Sequence, residues 1–202
     1  MNINPTEPFT MKLTELHKVF EPQDGSDGPA CAVLGPNPMS FPWGYDEDDE
    51  DCYDLKQALK KEIMCLTTGG IENFWIACDP GVGLWCGEFI NTIQKEFWFD
   101  ISLHCYVPYE EHANKWHQNL RERYYSMLMS ADSEHNDSGR KTPSARLDAY
   151  KAIIDKADVL LVVHDDSTKK TDQLDEALEY AKAQKKSMII IHPVAQEGFS
   201  IE

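Results

Sequence analysis

Short apolar runs alternate with stretches of helical periodicity along the chain from Ala30 onward. Continuous apolar runs that end at proline, glycine or polar clusters are typical of buried strands. We predict five strands, at 30–34, 74–78, 101–107, 159–163 and 188–191. Apolar residues that recur three or four positions apart predict helices at 53–66, 84–97, 110–129, 146–157 and 172–184.

This alternation also predicts the fold class. Strands that are apolar throughout are covered by helices on both faces of a parallel sheet. We therefore expect an α/β protein with a Rossmann-like three-layer α/β/α architecture and a mostly parallel sheet of about five strands. Residues 130–144 are polar without periodicity, which predicts a loop long enough to act as a lid.

Length and composition limit the number of domains. The chain has 202 residues of which 42% are hydrophobic, enough for one core and short for two. The first 29 residues hold several prolines and glycines around one short amphipathic stretch, Leu13–Phe20. We predict an N-terminal extension at 1–29 and a single domain at 30–202.

Charge and cysteine content limit partners and location. A net charge of -16 repels an anionic polymer and disfavours nucleic acid as a partner. No apolar run approaches the roughly 20 residues of a membrane helix, and no secretory signal precedes the domain. Six cysteines without a C-x-x-C pair favour buried, reduced thiols. We expect a cytoplasmic protein without membrane contact.

Ligands of open parallel sheets bind beyond the carboxyl ends of the strands, where helix N-termini face anions. The most informative strand end is the turn 78–83, because Gly81 and Gly83 let the backbone approach a phosphate. Any tight strand-to-helix turn also requires glycine, so a purely structural turn is the alternative. Asp79 adds negative charge and Pro80 removes an N–H donor, which favours ribose or base recognition by Asp79 over a phosphate site. Glu88 could face the same crevice, and either carboxylate could instead cap or solvate a helix end.

The segment 164–171 also leaves a strand and enters a helix. Thr168 or Thr171 is a helix N-cap candidate, and two lysines between them could neutralise a phosphate. The histidines show no metal-ligand spacing, and neither a P-loop nor a G-x-S-x-G elbow is present. We expect no metal and no cofactor.

Several motifs carry a family resemblance. They are Cys31-Ala32-Val33-Leu34-Gly35-Pro36-Asn37-Pro38, the acidic approach Phe41–Cys52, the strand, turn and helix Phe74–Glu88, and the pattern of Pro108, Trp116, Arg123, Tyr124, Leu128 and Ala131-Asp132. With these motifs the chain resembles, from about residue 30 to 193, the YpsA-like branch of the SLOG superfamily. Its relatives include the LOG nucleotide phosphoribohydrolases and the DprA/Smf proteins.

The resemblance implies a Rossmann-like fold that binds a nucleotide or nucleotide-derived signal. The family's ligand motifs are altered, since Pro36 and Asn37 replace a His-Arg pair and Lys169-Lys170-Thr171 replaces a late Gly-Gly-Thr. The candidate ligand-binding residues are Gly35, Pro36, Asn37, Asp79, Gly81, Val82, Gly83, Trp85, Glu88, Pro108, Trp116, Asp165, Asp166, Thr168 and Thr171.

Three functions are compatible with these observations. The first is a sensor or sequestering protein for a nucleotide-type small molecule. The second is a hydrolase of nucleotide N-glycosides or phosphoesters related to LOG enzymes, with Glu88 or Asp79 as acid or base. The third is an acidic interaction or regulatory protein with a vestigial pocket, acting on a basic protein partner or as a homo-oligomer.

Overall fold

Six parallel strands form one sheet in the order β4-β3-β2-β1-β5-β6 in the computed structural model, which describes residues 28–136, 139–165 and 173–193. The strands are β1 (Ala30–Leu34), β2 (Asn73–Ala77), β3 (Ser102–Tyr106), β4 (Ser133–His135), β5 (Val159–Val163) and β6 (Ser187–Ile191). The helices are α1 (Glu50–Thr68), α2 (Val82–Phe97), α3 (Gln118–Met129), α4 (Ala145–Lys156) and α5 (Gln173–Ala183), with a short 3-10 helix at Pro38–Ser40.

The fold class predicted from the sequence is confirmed, with two corrections. The predicted loop at 130–144 contains the edge strand β4, which extends the sheet to six strands because its backbone pairs with β3. Asp132 fixes this edge, since its carboxylate accepts a hydrogen bond from the N–H of Leu103 at 2.8 Å. The helix predicted from residue 110 begins at Gln118, and turns occupy the residues before it.

Helices cover both faces of the sheet. Apolar residues of α1, α2 and α3, such as Leu59, Ile90 and Met127, belong to the core on one face. The other face packs against α4 and α5 through residues such as Ile153 and Leu178. Strands β1, β2 and β5 are buried along their whole length, as expected for the centre of a parallel sheet.

The path of the chain defines one crevice at the carboxyl edge of the sheet. Strands β1 to β4 lie side by side in sequence order, after which the chain crosses back and places β5 on the other side of β1. The loops that follow β1 and β5 therefore diverge, and ligands of open α/β sheets bind where this happens. A functional site is therefore expected near the carboxyl ends of β1, β2 and β5.

The cysteines fit the expected reduced state, with one exception to the predicted burial. None of the six is in a disulfide, and five are buried while Cys65 is exposed on α1. Burial raises the pKa of Cys31 to about 12, so this thiol stays protonated. Within the described ranges, no helix has the length and apolarity needed to cross a membrane. The assignment of 1–29 as an extension stays a prediction, since residues 1–27 lie outside the described part.

Candidate functional site

The glycine turn after β2 is packed tightly against its own protein. A side chain at Gly83 would collide with the carbonyl oxygen of Ala77, and one at Gly35 would lie 2.5 Å from Cβ of Val82. Gly81 has φ of 83°, a left-handed conformation that favours glycine, and its missing Cβ would lie 2.9 Å from Pro38. These glycines bring the loop after β1 into contact with the start of α2, which is the structural reason for their presence.

Asp79 follows β2 directly and is buried, with 6% of its surface exposed. Its Oδ2 accepts a hydrogen bond from Nε of Arg146 at 2.6 Å and lies 3.4 Å from the hydroxyl oxygen of Tyr150. The same hydroxyl donates to the carbonyl oxygen of Gly35 at 2.8 Å. Arg146 and Tyr150 lie one turn apart on α4, so this helix ties the ends of β1 and β2 together.

His112 approaches Asp79 from the other side. Its Nε2 lies 3.3 Å from Oδ1 of Asp79, within ion-pair distance, although neither ring nitrogen makes a directed hydrogen bond. The rings of Tyr109 and Trp116 meet the imidazole edge-on, each with centroids 5.0 Å apart. The loop after β3 thereby places a buried imidazole next to the carboxylate.

The charges around Asp79 decide its protonation state. Burial alone would raise the pKa of this carboxyl, but Arg146 and His112 lower it below its usual value. Asp79 is therefore an anion near neutral pH, and Arg146 is its counter-ion. A carboxylate in this state is poorly suited to act as a general acid.

Arg146 keeps unused hydrogen-bonding capacity at this position. Its Nη2 is buried without a hydrogen-bond partner, while 27% of the side chain is exposed. Leaving a buried donor of this kind unpaired costs about 1–3 kcal/mol. The guanidinium is thus held by Asp79 at the carboxyl edge with part of its side chain exposed, while Nη2 itself is enclosed by protein.

Three other candidates belong to a second cluster, centred on Glu47. Oε1 of Glu47 accepts hydrogen bonds from Nε1 of Trp85 at 2.9 Å and from Nη1 of Arg123 at 2.7 Å. Oε2 accepts one from Nζ of Lys56 at 2.5 Å. Burial alone would raise the pKa of Glu47, but these donors lower it to about 2. The acidic segment before α1 therefore contributes a fixed anion to the interior of this cluster.

Glu88 joins the same cluster through Arg123. Nε and Nη2 of Arg123 donate to the two carboxylate oxygens of Glu88 at 2.8 and 2.7 Å, a bidentate pair. Trp116, the third candidate here, lines a cavity of about 760 Å³ beside Glu47 and Arg123. Trp85 and Glu88 are thus grouped with Glu47 and Gly35 with Asp79, while Trp116 contacts His112 of the Asp79 group and also lines the cavity beside Glu47.

The remaining candidates are placed as follows. Asn37 caps the 3-10 helix, since its side chain accepts a hydrogen bond from the N–H of Met39 at 3.1 Å. Pro36 precedes it and Pro108 is buried after β3, while Asp165 is half-buried after β5. Asp166, Thr168 and Thr171 lie outside the described residues. Within the described part of the chain, no three histidine, cysteine or acidic side chains are grouped as a metal site would require.

Sequence reasoning missed the residues that organise both clusters. Arg146, Tyr150 and His112 were not among the candidates, because they lie far from Asp79 in sequence. The available signal was topological, since a helix that follows an edge strand of a parallel sheet begins at the carboxyl edge. An arginine in its first turn is therefore positioned near any ligand there.

Comparison with known proteins decides the family. A family model named YpsA and described as the YspA SLOG family matches residues 31–195. The chain belongs to the YpsA family of SLOG proteins. The matched range contains β1 from its second residue, the other five strands in full and both clusters, so the family relation covers the whole of the site.

Individual relatives agree with this membership. A UPF0398 protein of Bacillus licheniformis is 27% identical over 174 residues, covering 84% of this chain and 92% of the relative. A UPF0398 protein of Bacillus anthracis is 32% identical over 140 residues, covering 67% and 73%. UPF0398 protein YpsA of Bacillus subtilis is 28% identical over 123 residues, covering 60% and 68%.

Proposed function

We propose that the protein binds a nucleotide or nucleotide-derived small molecule at the carboxyl edge of the sheet, as a cytoplasmic sensor or sequestering protein. The observation that supports this most strongly is the guanidinium of Arg146, held by Asp79 beside the ends of β1 and β2 on a side chain that is 27% exposed. Guanidinium groups suit the geometry of phosphate oxygens. Arg146 is the residue we assign to the ligand's phosphate.

Asp79 has an indirect role in this proposal. The carboxylate is buried and paired with Arg146, so we assign it the role of fixing the orientation of this arginine. It is not assigned a direct contact with the ribose. This arrangement resolves the conflict of an acidic side chain next to an anion site. The negative charge of Asp79 is compensated by Arg146 before any ligand arrives.

Local charge supports an anionic ligand in an otherwise acidic protein. Arg140 and Lys141 are exposed immediately before α4, and Arg146 lies in its first turn. The N-terminus of α4 lacks a side-chain cap, and the helix dipole adds positive potential at the same edge, part of which Asp148 in the first turn offsets. A field of this kind attracts an anion locally although the chain carries a net charge of -16.

The hydrolase alternative has less support. Glu88 is engaged at both oxygens by Arg123, and Asp79 is ionised by its neighbours, so neither is free to exchange a proton with a substrate. The five buried thiols fit a reducing compartment and support the cytoplasmic location. No described contact favours the interaction-protein alternative at this edge of the sheet.

Thermal denaturation of the full chain with a nucleotide panel tests the proposal. The panel contains AMP, ADP-ribose, NAD and a cyclic dinucleotide, together with adenosine as the unphosphorylated control. A bound ligand raises the melting temperature by mass action, in proportion to the logarithm of its concentration above Kd. We expect a shift with at least one phosphorylated member and none with adenosine; the absence of a shift across the panel contradicts the proposal.

A further inference from the structure

A buried histidine lies on the opposite side of Asp79 from Arg146. Nε2 of His112 is 3.3 Å from Oδ1 of Asp79, while Nε of Arg146 is 2.6 Å from Oδ2. The two side chains therefore approach different oxygens of one carboxylate. Only 8% of the His112 side chain is exposed, and both its ring nitrogens are enclosed by protein without a directed hydrogen bond. A buried polar ring without hydrogen bonds is costly in free energy, so packing alone does not account for a histidine here.

The other described contacts of the His112 ring are aromatic. Tyr109 and Trp116 of the same loop meet it edge-on, and the ring centroid of Tyr124 on α3 lies 6.4 Å away. Burial raises the pKa of Tyr124, so this phenol is neutral. The aromatic rings keep water from the imidazole, and none of them carries a charge that would compensate a proton on it.

The charges at Asp79 balance in the protein without ligand. The carboxylate and the guanidinium of Arg146 cancel, so a proton on His112 would leave a net positive charge in a buried place, which burial opposes. The preceding thiol, Cys78, is neutral because burial raises its pKa. Further charged side chains on neighbouring segments are exposed, and solvent screens them: Glu110, Glu111, Lys115, Glu134 and Lys141. The balance at this position is therefore set by Asp79 and Arg146, and an added anion would disturb it.

We propose that His112 takes up a proton from solvent when an anion binds at Arg146, and so serves as the second cation of the ligand site. The inference rests on the proposed function, because it requires a phosphate beside Arg146. Such a phosphate adds negative charge to a pair that was balanced. A proton on Nε2 compensates it, and the imidazolium pairs with Oδ1 of Asp79 at the distance already present. Histidine suits this role, because its charge ordinarily changes between pH 5 and 8.

Binding and proton uptake are then coupled in both directions. If the anion promotes protonation of His112, a lower pH must strengthen binding of the anion by the same coupling free energy. One proton is the maximum, so the association constant rises by at most about tenfold for each unit fall in pH. The site therefore responds to its ligand and to acidity together.

Isothermal titration of the full chain in two buffers of different ionisation enthalpy counts the protons taken up on binding. The probes are AMP, ADP-ribose, NAD and the cyclic dinucleotide, and His112→Gln is measured beside the wild type. The difference between the two proteins isolates the proton of His112, because protons of the ligand itself cancel. We expect the wild type to take up roughly 0.3 to 1 proton more than the variant. Between pH 8 and pH 6 its affinity should rise at least about threefold more. His117→Gln, at an exposed histidine, is the matched control and should behave as the wild type.

The outcomes separate this inference from the proposed function. Binding with equal proton counts in the wild type and His112→Gln overturns the inference and leaves the proposed function standing. Absence of binding by every probe at both pH 6 and pH 8 overturns both. If His112→Gln does not fold, the wild type with ADP-ribose or NAD decides, because their pyrophosphates, unlike a phosphate monoester, do not titrate near neutral pH. Binding of these two probes without proton uptake then overturns the inference.

Discussion

Nε of Arg146 lies 2.6 Å from Oδ2 of Asp79, and this pair joins the first turn of α4 to the end of β2 across 67 residues of sequence. The pair fixes a cation at the edge where α/β sheets bind ligands. It also ties together two elements of the core, since Tyr150 on the same helix bonds to Gly35 after β1. The contact that stabilises the fold is therefore also the one that the proposed function assigns to ligand binding.

Removing the charge of Asp79 should destabilise the fold. Asp79→Asn leaves Arg146 as a cation without its counter-ion, and breaking a buried pair costs about 3–5 kcal/mol. Because the arginine side chain is 27% exposed, we expect a loss of roughly 2–4 kcal/mol in the free energy of unfolding. Urea denaturation measures it. Asp54→Asn, an exposed aspartate on α1, is the control and should change stability by less than about 0.5 kcal/mol.

The glycine turn should tolerate no side chain at its tightest position. Gly83→Ala places a Cβ against the carbonyl oxygen of Ala77, which is backbone and cannot move away easily. We expect a loss of at least about 1–3 kcal/mol, or failure to fold. Gly139→Ala is the matched control, because nothing lies within 4 Å of its added Cβ. Equal stability of the two variants would show that the turn is not packed as described.

The strands were more predictable from the sequence than the contacts that shape the glycine turn. The apolar runs predicted the positions of β1, β2, β3, β5 and β6 well, because buried parallel strands are continuous in composition. The strand β4 was not predictable in this way, because Ser133–His135 is short, polar and at the edge. The glycine turn was recognised from its spacing. The need for glycine at residue 35 arises from its close contact with Val82, which only the folded chain brings together.

Side-chain partners were the least predictable part of the site. In the acidic run before α1, Asp49 caps the helix by accepting hydrogen bonds from the N–H groups of Asp51 and Cys52. Glu47, two residues earlier, instead reaches Trp85 and Arg123. No local pattern distinguishes the two acids, because the difference arises from contacts between distant elements.

The charge of Glu47 should make stability depend on acid pH. Its pKa is lowered from 4.5 to about 2 in the folded protein, so the unfolded chain takes up the proton first as pH falls. The contribution of this group is complete above about pH 5 and is lost as pH falls from 4.5 toward 2. We expect a loss on the order of 2 kcal/mol over that window, allowing for partial exposure of the carboxylate.

Urea denaturation at a series of pH values measures this dependence. The variant Glu47→Gln should show a smaller fall between pH 5 and pH 3, because it has no proton to take up at this position. Asp48→Asn is the control, since Asp48 is an exposed neighbour and makes no ion pair within the described residues. A pH profile of Glu47→Gln that matches the wild type would contradict the assigned role of Glu47.

The cysteines should react selectively. Cys65 is exposed, whereas the other five thiols are buried, and burial raises the pKa of Cys31 and Cys86 well above the usual value. Iodoacetamide at pH 8 should therefore modify the native protein at Cys65 alone, and all six positions after unfolding in urea. Intact mass and peptide mapping read out the sites. Rapid modification of Cys78 or Cys105 in the native state would contradict the described packing of β2 and β3.

The phosphate site at Arg146 is tested most directly by the difference in affinity between a nucleotide and its nucleoside. Isothermal titration with AMP and adenosine measures this difference. Another phosphorylated member of the panel replaces AMP if it binds more tightly. Arg146→Lys keeps the charge but removes the guanidinium fork, and Arg121→Lys on α3 is the matched control. We predict that the phosphorylated ligand binds more tightly, and that Arg146→Lys alone weakens it about tenfold or more. Equal affinities for both ligands, or equal binding by both variants, would contradict a phosphate site at Arg146.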